Sequence, residues 1–172
     1  MSTPNAVIFI LNVNPDRQHD VVSGDAIMVE PGLPLSQYID AFGNRCGRVN
    51  VPAGCQTVRL RNSAVVHDSG LVDIVDYQAI QHEPQNLPAD TLRFLLPSRY
   101  CEVDSALLNF AWNQFGSTPL GWARVQAICD FVHHHLRFDY AAARSNRSAV
   151  EGFAERTGVC RDFAHLAVTL CR

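Results

Sequence analysis

Near the end of the chain, Gly158-Val159-Cys160-Arg161-Asp162-Phe163-Ala164-His165-Leu166 is the stretch with the clearest chemical meaning. A glycine-punctuated turn delivers a cysteine onto the first turn of an apolar helix. Unpaired backbone N–H groups and the positive end of the helix dipole lie there. Both favour a thiolate over a thiol, which is how a cysteine becomes a nucleophile. A thiolate at Cys160 would attack an amide carbonyl, in a peptide bond or a glutamine side chain, and form an acyl-enzyme. Water would then release an acid, or an amine would release a new amide. N–H groups around Cys160 would help to hold the oxyanion. This chemistry needs no cofactor and no metal. The competing reading is that Cys160 is a small core residue, the commoner fate of a cysteine in an apolar context.

A nucleophile needs a base, and the other candidates are weaker. His165 follows Cys160 by five positions, which turns it about 140° away on a helix. It is expected on the solvent-facing stripe or capping a polar contact. Asp162 reads as structural, supporting the first helical turn through the dipole. Cys171 reads as core. His133-His134-His135 are three consecutive residues about 100° apart, so they cannot converge on one metal. No His-x-x-x-His pair accompanies them, and the run is expected to be mostly solvated helix surface. One of the three would reach Cys160 only if the helices pack that way. The pairs His19-Asp20 and His67-Asp68 are expected to be ordinary surface, because strand neighbours alternate sides.

The elements that must position Cys160 change character along the chain. Residues 6–13 are apolar and β-branched and read as a strand buried on both faces. Asp16–Ser36 reads as irregular, punctuated by Pro31-Gly32 and Pro34. Tyr38–Phe42 and Cys46–Val51 flank Gly43-Asn44 as a hairpin. Thr57–His67 carries two alternation registers that change near Asn62-Ser63, so it is one long strand with a bulge or two short ones. Asp73–Gln81 reads as a further strand. Such spacing fits a small antiparallel sandwich or barrel.

Pro84–Pro88 is a linker in composition, and beyond it the apolar period becomes helical. Asp104 caps a helix over Ser105–Phe115, ended by Gly116. Thr118 and Pro119 start the next, with Val125, Ile128, Val132 and Leu136 on its buried face. Phe138–Tyr140 is a short extended stretch. Ser148-x-x-Glu151 is a capping box, and its helix ends near Thr157-Gly158. In the cysteine helix Arg161, Asp162, His165, Thr169 and Arg172 form one polar stripe and the rest is apolar. The fold class is α+β: an N-terminal antiparallel β-sandwich-like domain (1–95), then a helical subdomain (96–172).

Composition narrows the partners. The 172 residues suit one large domain or two small ones, and 47% of them are apolar, enough for a core. Net charge is -3 with no Lys/Arg run, which argues against nucleic acid and against an anionic membrane surface. No apolar run approaches about 20 residues, so nothing spans a bilayer. The six cysteines have no Cys-x-x-Cys pair and read as reduced thiols of a cytoplasmic protein.

Three separated segments also carry a family resemblance. Gly158–Leu166, Leu96-Pro-Ser-Arg-Tyr-Cys101 and Ile128-Cys-Asp-Phe-Val-His133 resemble, in order and spacing, bacterial transglutaminase-like proteins, a family described as putative cysteine proteases. The resemblance implies that the helical half is the first half of a papain-like transglutaminase core. It implies a thiol enzyme acting on amide bonds of a protein or peptide, as a peptidase or an acyl transferase. It also implies that a His on a downstream strand and an acid on the next complete the Cys160 set. Both would lie after Arg172, so the chain reads as truncated and inactive alone. The alternative is a non-catalytic binding or assembly module with a structural Cys160. The apolar face left by the missing sheet would then favour a homodimer.

Overall fold

The computed structural model describes residues 3–72 and 74–172. Its architecture is α+β, with small antiparallel sheets preceding the helices. The chain divides into two compact units, Met1–Asp73 and Ile74–Arg172.

The first unit is built on β1 (Asn5–Phe9), β2 (Val21–Gly24), β3 (Met28–Glu30), β4 (Leu35–Ile39), β5 (Arg45–Val51), β6 (Arg59–Arg61) and β7 (Ala64–Val66). Strands β1, β5 and β4 form one antiparallel sheet with β5 in the middle, and β2 pairs β7 while β3 pairs β6. The hairpin read from Gly43-Asn44 is present, with Ile39 opposite Arg45. Val49 and Val51 of β5 are buried, and Gly47 leaves room for the Phe9 ring, which a Cβ there would meet at 2.4 Å.

Three expectations change in this unit. The 6–13 stretch is not buried on both faces: only Asn5–Phe9 is strand, and Ile8 is 60% exposed, because it stands opposite the exposed Arg48 on the solvated face of the sheet. Asp16–Ser36 is not irregular but holds a 3₁₀ turn (Pro15–Asp20), β2, β3 and the start of β4, whose pairing partners lie far away in sequence. Thr57–His67 is two short strands. They separate at Asn62-Ser63 because Asp25 inserts there: Asp25 Oδ1 accepts from Asn62 Nδ2 at 2.8 Å and from the Val13 N–H at 3.1 Å, and the Asp25 N–H donates to the Ser63 carbonyl.

The second unit holds α1 (Ala106–Phe115), α2 (Trp122–His135), β8 (Arg137–Phe138), α3 (Ala149–Glu155), β9 (Thr157–Gly158) and α4 (Cys160–Cys171). Leu107, Phe115, Ile128, Val132, Leu136, Ala149, Leu166 and Leu170 form its core. Phe110, Phe131 and Phe153 add an aromatic wall, with Phe110 centred 4.8 Å from Phe153 and 5.2 Å from Phe131. The apolar face expected on α2 is therefore the buried one.

Residues 74–95, grouped by composition with the β-rich half, belong to this second unit. The Trp122 N–H donates to the Ala79 carbonyl at 3.1 Å, and Arg124 Nη1 donates to Gln81 Oε1 at the same distance. The strand expected over Asp73–Gln81 is not formed over 74–81. Asp76 closes a turn there by accepting the Gln78 N–H, and Ile74 is fully exposed. Asp73 itself lies outside the described residues.

Both expected caps also shift. Ser105, not Asp104, caps α1, its hydroxyl accepting the Leu107 N–H at 3.2 Å. Helix α2 starts at Trp122 behind Gly121, not at Pro119. Thr118 instead gives its hydroxyl to the Phe115 carbonyl and accepts from Arg124 Nε. Gly121 has φ +84°, and a Cβ there would lie 2.2 Å from the Ala79 carbonyl oxygen, so only glycine fits. Among the described residues, no helix is long and apolar enough to cross a membrane.

Candidate active site

The approach to Cys160 is a strand that becomes a helix. The capping box at Ser148 opens α3: the Ser148 hydroxyl accepts the Glu151 N–H, and the Glu151 carboxylate accepts the Ser148 N–H at 2.9 Å. Arg156, with φ +55°, ends α3 and turns the chain into β9. Strand β9 runs parallel to β8, with Arg137 and Asp139 N–H groups donating to the Arg156 and Gly158 carbonyls. Val159 remains extended, and Cys160 is the first residue of α4, exposed.

Val159 is a poor N-cap because it has no side-chain acceptor. Asp162 compensates from the first turn of the helix. Its Oδ2 accepts the Val159 N–H at 2.8 Å and Arg147 Nη1 at 2.9 Å. Arg147 and Asp162 are both buried, and Arg147 is held in turn by Glu155, at 3.0 Å from Nε. Gly158 is not a left-handed turn glycine. It sits in β9, and its missing side chain makes room for Asp162: a Cβ would come within 2.6 Å of the Asp162 carboxylate. So the Gly-x-Cys-x-Asp spacing is one packed unit.

The polar stripe of α4 is not its wet face. Asp162 and Thr169 are buried, and His165 is half-buried. The exposed positions are Cys160, Ala164, Val168 and Cys171. Inside the unit Asp162 Oδ2 has Arg147, the Thr169 hydroxyl donates to the His165 carbonyl at 2.8 Å, and the His165 ring stacks on Tyr100 at 5.5 Å, its buried Nδ1 without a hydrogen-bond partner. Arg161 lies over the other side of this cluster, 5.7 Å from the Tyr100 ring centre, and donates to the Ser145 carbonyl.

The remaining candidates are dispersed. His133 and His134 are exposed. His135 is less solvated than its neighbours, stacked on Phe131 and Phe153, with Nε2 2.8 Å from the Phe153 carbonyl oxygen. His19 and Asp20 meet rather than diverge, at 3.2 Å, because they end a 3₁₀ turn instead of lying in a strand. Cys171 is not core but an exposed residue at the end of α4. Its sulfur is nonetheless desolvated, which, with Cys129 nearby, pushes its thiol up to about 11. It borders a cavity of about 460 Å³ that also touches Trp112, Trp122 and Leu170 and does not include Cys160. Among the described residues, no histidine or carboxylate hydrogen-bonds Cys160, and no cluster of three ligating side chains could hold a metal.

Two residues of the site were not singled out from the sequence. Arg147 stands directly before the capping box and gives no local sign of its ion pair. Tyr100, inside the Leu96–Cys101 segment, accepts the Ala149 N–H at its carbonyl and carries the His165 stack, joining that segment to both α3 and α4.

Comparison with known proteins bears on the same helices. Residues 109–172 match the model of the transglutaminase-like superfamily. Over this stretch the chain is similar to that superfamily. The matched segment opens inside α1 and carries α2, α3 and the cysteine helix. A solved structure from Cytophaga hutchinsonii, described as a putative cysteine protease, is similar over 98% of this chain at 28% identity, with a TM-score of 0.76. The chain spans 58% of that protein's length. None of the curated proteins compared matches it.

The charges around α4 tie the stability of this unit to pH. Burial alone would raise the Asp162 carboxyl, but the Val159 N–H and Arg147 outweigh it and hold the group below its ordinary value of 3.8. His165 is pushed below 6.5, first by burial and then by Arg161, against weaker pulls from Asp162 and Glu102. Both folded values are depressed. Each contribution is therefore complete above the unfolded value and lost as pH falls through the folded one. Melting temperature is expected to fall in two stages, the first beginning below about pH 6.5 and the second below about pH 4. His165→Phe should remove the first stage. A melting temperature that stays flat between about pH 7 and about pH 5 would contradict this assignment.

Proposed function

We propose that this chain carries the nucleophile of a thiol enzyme that acts on amide bonds in proteins or peptides, with Cys160 forming the acyl-enzyme. The observation that carries the reading is the exposed cysteine at the first position of α4, at the junction with β9. The transglutaminase-like match over 109–172 and the similarity to the Cytophaga hutchinsonii protein support it.

In the reaction, the sulfur adds to the amide carbonyl carbon while the thiol proton passes to a base. The Asp162 and Phe163 N–H groups are engaged by the Val159 carbonyl, at 2.8 and 3.4 Å. The Cys160 and Arg161 N–H groups, unused in this way, would receive the oxyanion. Collapse of the intermediate expels the amine and leaves a thioester. Water then releases the acid, or a second amine forms a new amide. Among the described residues, no histidine or carboxylate hydrogen-bonds Cys160. The 172-residue chain alone is therefore expected to turn over amides slowly or not at all. The same observation favours the second reading, a binding or assembly module of transglutaminase-like ancestry.

Peptide-resolved alkylation of the six cysteines between about pH 4 and about pH 9 separates the two. The enzyme reading expects Cys160 to react about tenfold faster than the exposed Cys129 near pH 6. Equal rates at the two exposed thiols would defeat it and leave the binding module.

A further inference from the structure

Asp162 Oδ2 meets three groups at once. It accepts the Val159 N–H at 2.8 Å, accepts Arg147 Nη1 at 2.9 Å, and rests where a Gly158 Cβ would be only 2.6 Å away. Val159 directly precedes Cys160, so this carboxylate fixes the Gly158–Val159 peptide from which the nucleophile's residue follows. The carboxylate is itself immobilised. Asp162 is 2% exposed, Arg147 is 3% exposed, and Glu155 near the end of α3 holds the guanidinium from the other side. Arg144 bridges Glu155 and Glu151 at 2.9 and 3.1 Å, so the clamp continues back to the capping box.

We infer that Asp162, clamped by Arg147 and seated against Gly158, is a positioning residue that sets the orientation of the Cys160 thiol. This rests on the thiol-enzyme reading above. Asp162 points into the protein and acts only through the Gly158–Val159 peptide, one link before Cys160. Attack needs the sulfur within about 3–3.5 Å of the carbonyl carbon and aligned with it. A peptide released from Asp162 would spread the thiol over several directions and turn the Cys160 and Arg161 N–H groups away from the oxyanion.

Two variants break the contact in different ways. Gly158→Ala displaces the carboxylate and changes no charge. Asp162→Asn removes the charge and keeps the shape. The full chain is treated with iodoacetamide and each thiol is followed by mass spectrometry. Exposed Cys129 reports reagent access, and buried Cys101 reports folding. Positioning predicts that both variants slow Cys160 by about tenfold, with Cys129 unchanged and Cys101 still protected.

A purely electrostatic role predicts otherwise. Gly158→Ala would then have no effect, and Asp162→Asn would speed the reaction, because losing a nearby negative charge eases thiolate formation. Either result with Cys101 protected overturns the inference. If one of these variants exposes Cys101, Arg147→Lys decides, since it keeps the charge but loses the guanidinium fork. A slowed Cys160 in that folded variant supports positioning, and an unchanged rate overturns it. The enzyme reading is judged earlier and separately, on the unaltered chain. There, Cys160 reacting no faster than Cys129 defeats that reading and the positioning role with it.

Discussion

Replacing Arg147 by Met is expected to lower the unfolding free energy by about 3–5 kcal/mol, the range for removing one partner of a buried ion pair. The side chain of Arg147 is 4% exposed and that of Asp162 is 1% exposed. Without the guanidinium, the Asp162 carboxylate would stay buried with the Val159 N–H as its one strong donor, since Arg161 Nη2 stands 3.5 Å from the other oxygen. Burial also acts against the charge of Arg147, and Asp162 and Glu155 together overcome it, so the two charges depend on each other. The double variant Arg147→Met/Asp162→Leu should recover most of the loss, because an apolar pair has no charge to desolvate. Urea titration of the four proteins of this cycle measures the coupling directly. A single variant that costs less than about 1 kcal/mol would mean that water already reaches the pair.

What could be read in advance follows from the reach of each interaction. The capping box at Ser148 and Glu151 is a pattern four residues long, and it forms as written. The hairpin around Gly43 and the Ile128/Val132/Leu136 face are equally local, set by turn chemistry and helical period. Strands β2 and β3 escaped because their stability comes from β7 and β6, tens of residues away, and because Asp25 holds the turn between them by contacts with Asn12, Val13 and Asn62. The run 74–81 failed in the opposite sense. Its alternation looks like a strand, but no described strand pairs with it, and it folds back on the start of α2 instead.

The site divides along the same line. Cys160 at a helix start was legible because glycine, cysteine and the apolar period lie within a few positions of each other. The reason for Gly158 was not. The residue looks like a turn glycine, whereas it is small because a carboxylate four positions on leans against it. The polar stripe of α4 was read as facing water because polar groups usually do. It faces inward because Arg147, fifteen positions before Asp162, supplies the missing charge. No rule of local spacing contains that partner.

Leu166→Ala should cost about 2–5 kcal/mol, the range for truncating a fully buried leucine in a core that relaxes only in part. Leu166 is the central buried residue of α4, at 0% exposure, in the cluster that includes Leu107 of α1, Ile128 and Val132 of α2 and Ala149 of α3. Val168 on the same helix is 41% exposed, so Val168→Ala should change stability by no more than about 0.5 kcal/mol. The contrast tests which side of α4 is buried, because equal costs at the two positions would mean that Leu166 does not face the core. The two ends of α4 should also respond differently. Its first turn is tied to α3 through Asp162 and Arg147, whereas the segment from Leu166 onward depends on apolar packing. Amide exchange in Leu166→Ala should therefore rise more over Ala167–Cys171 than over Phe163–Ala164. Uniform exchange along α4 would show that the helix opens as one piece and that the ion pair gives its first turn no separate hold.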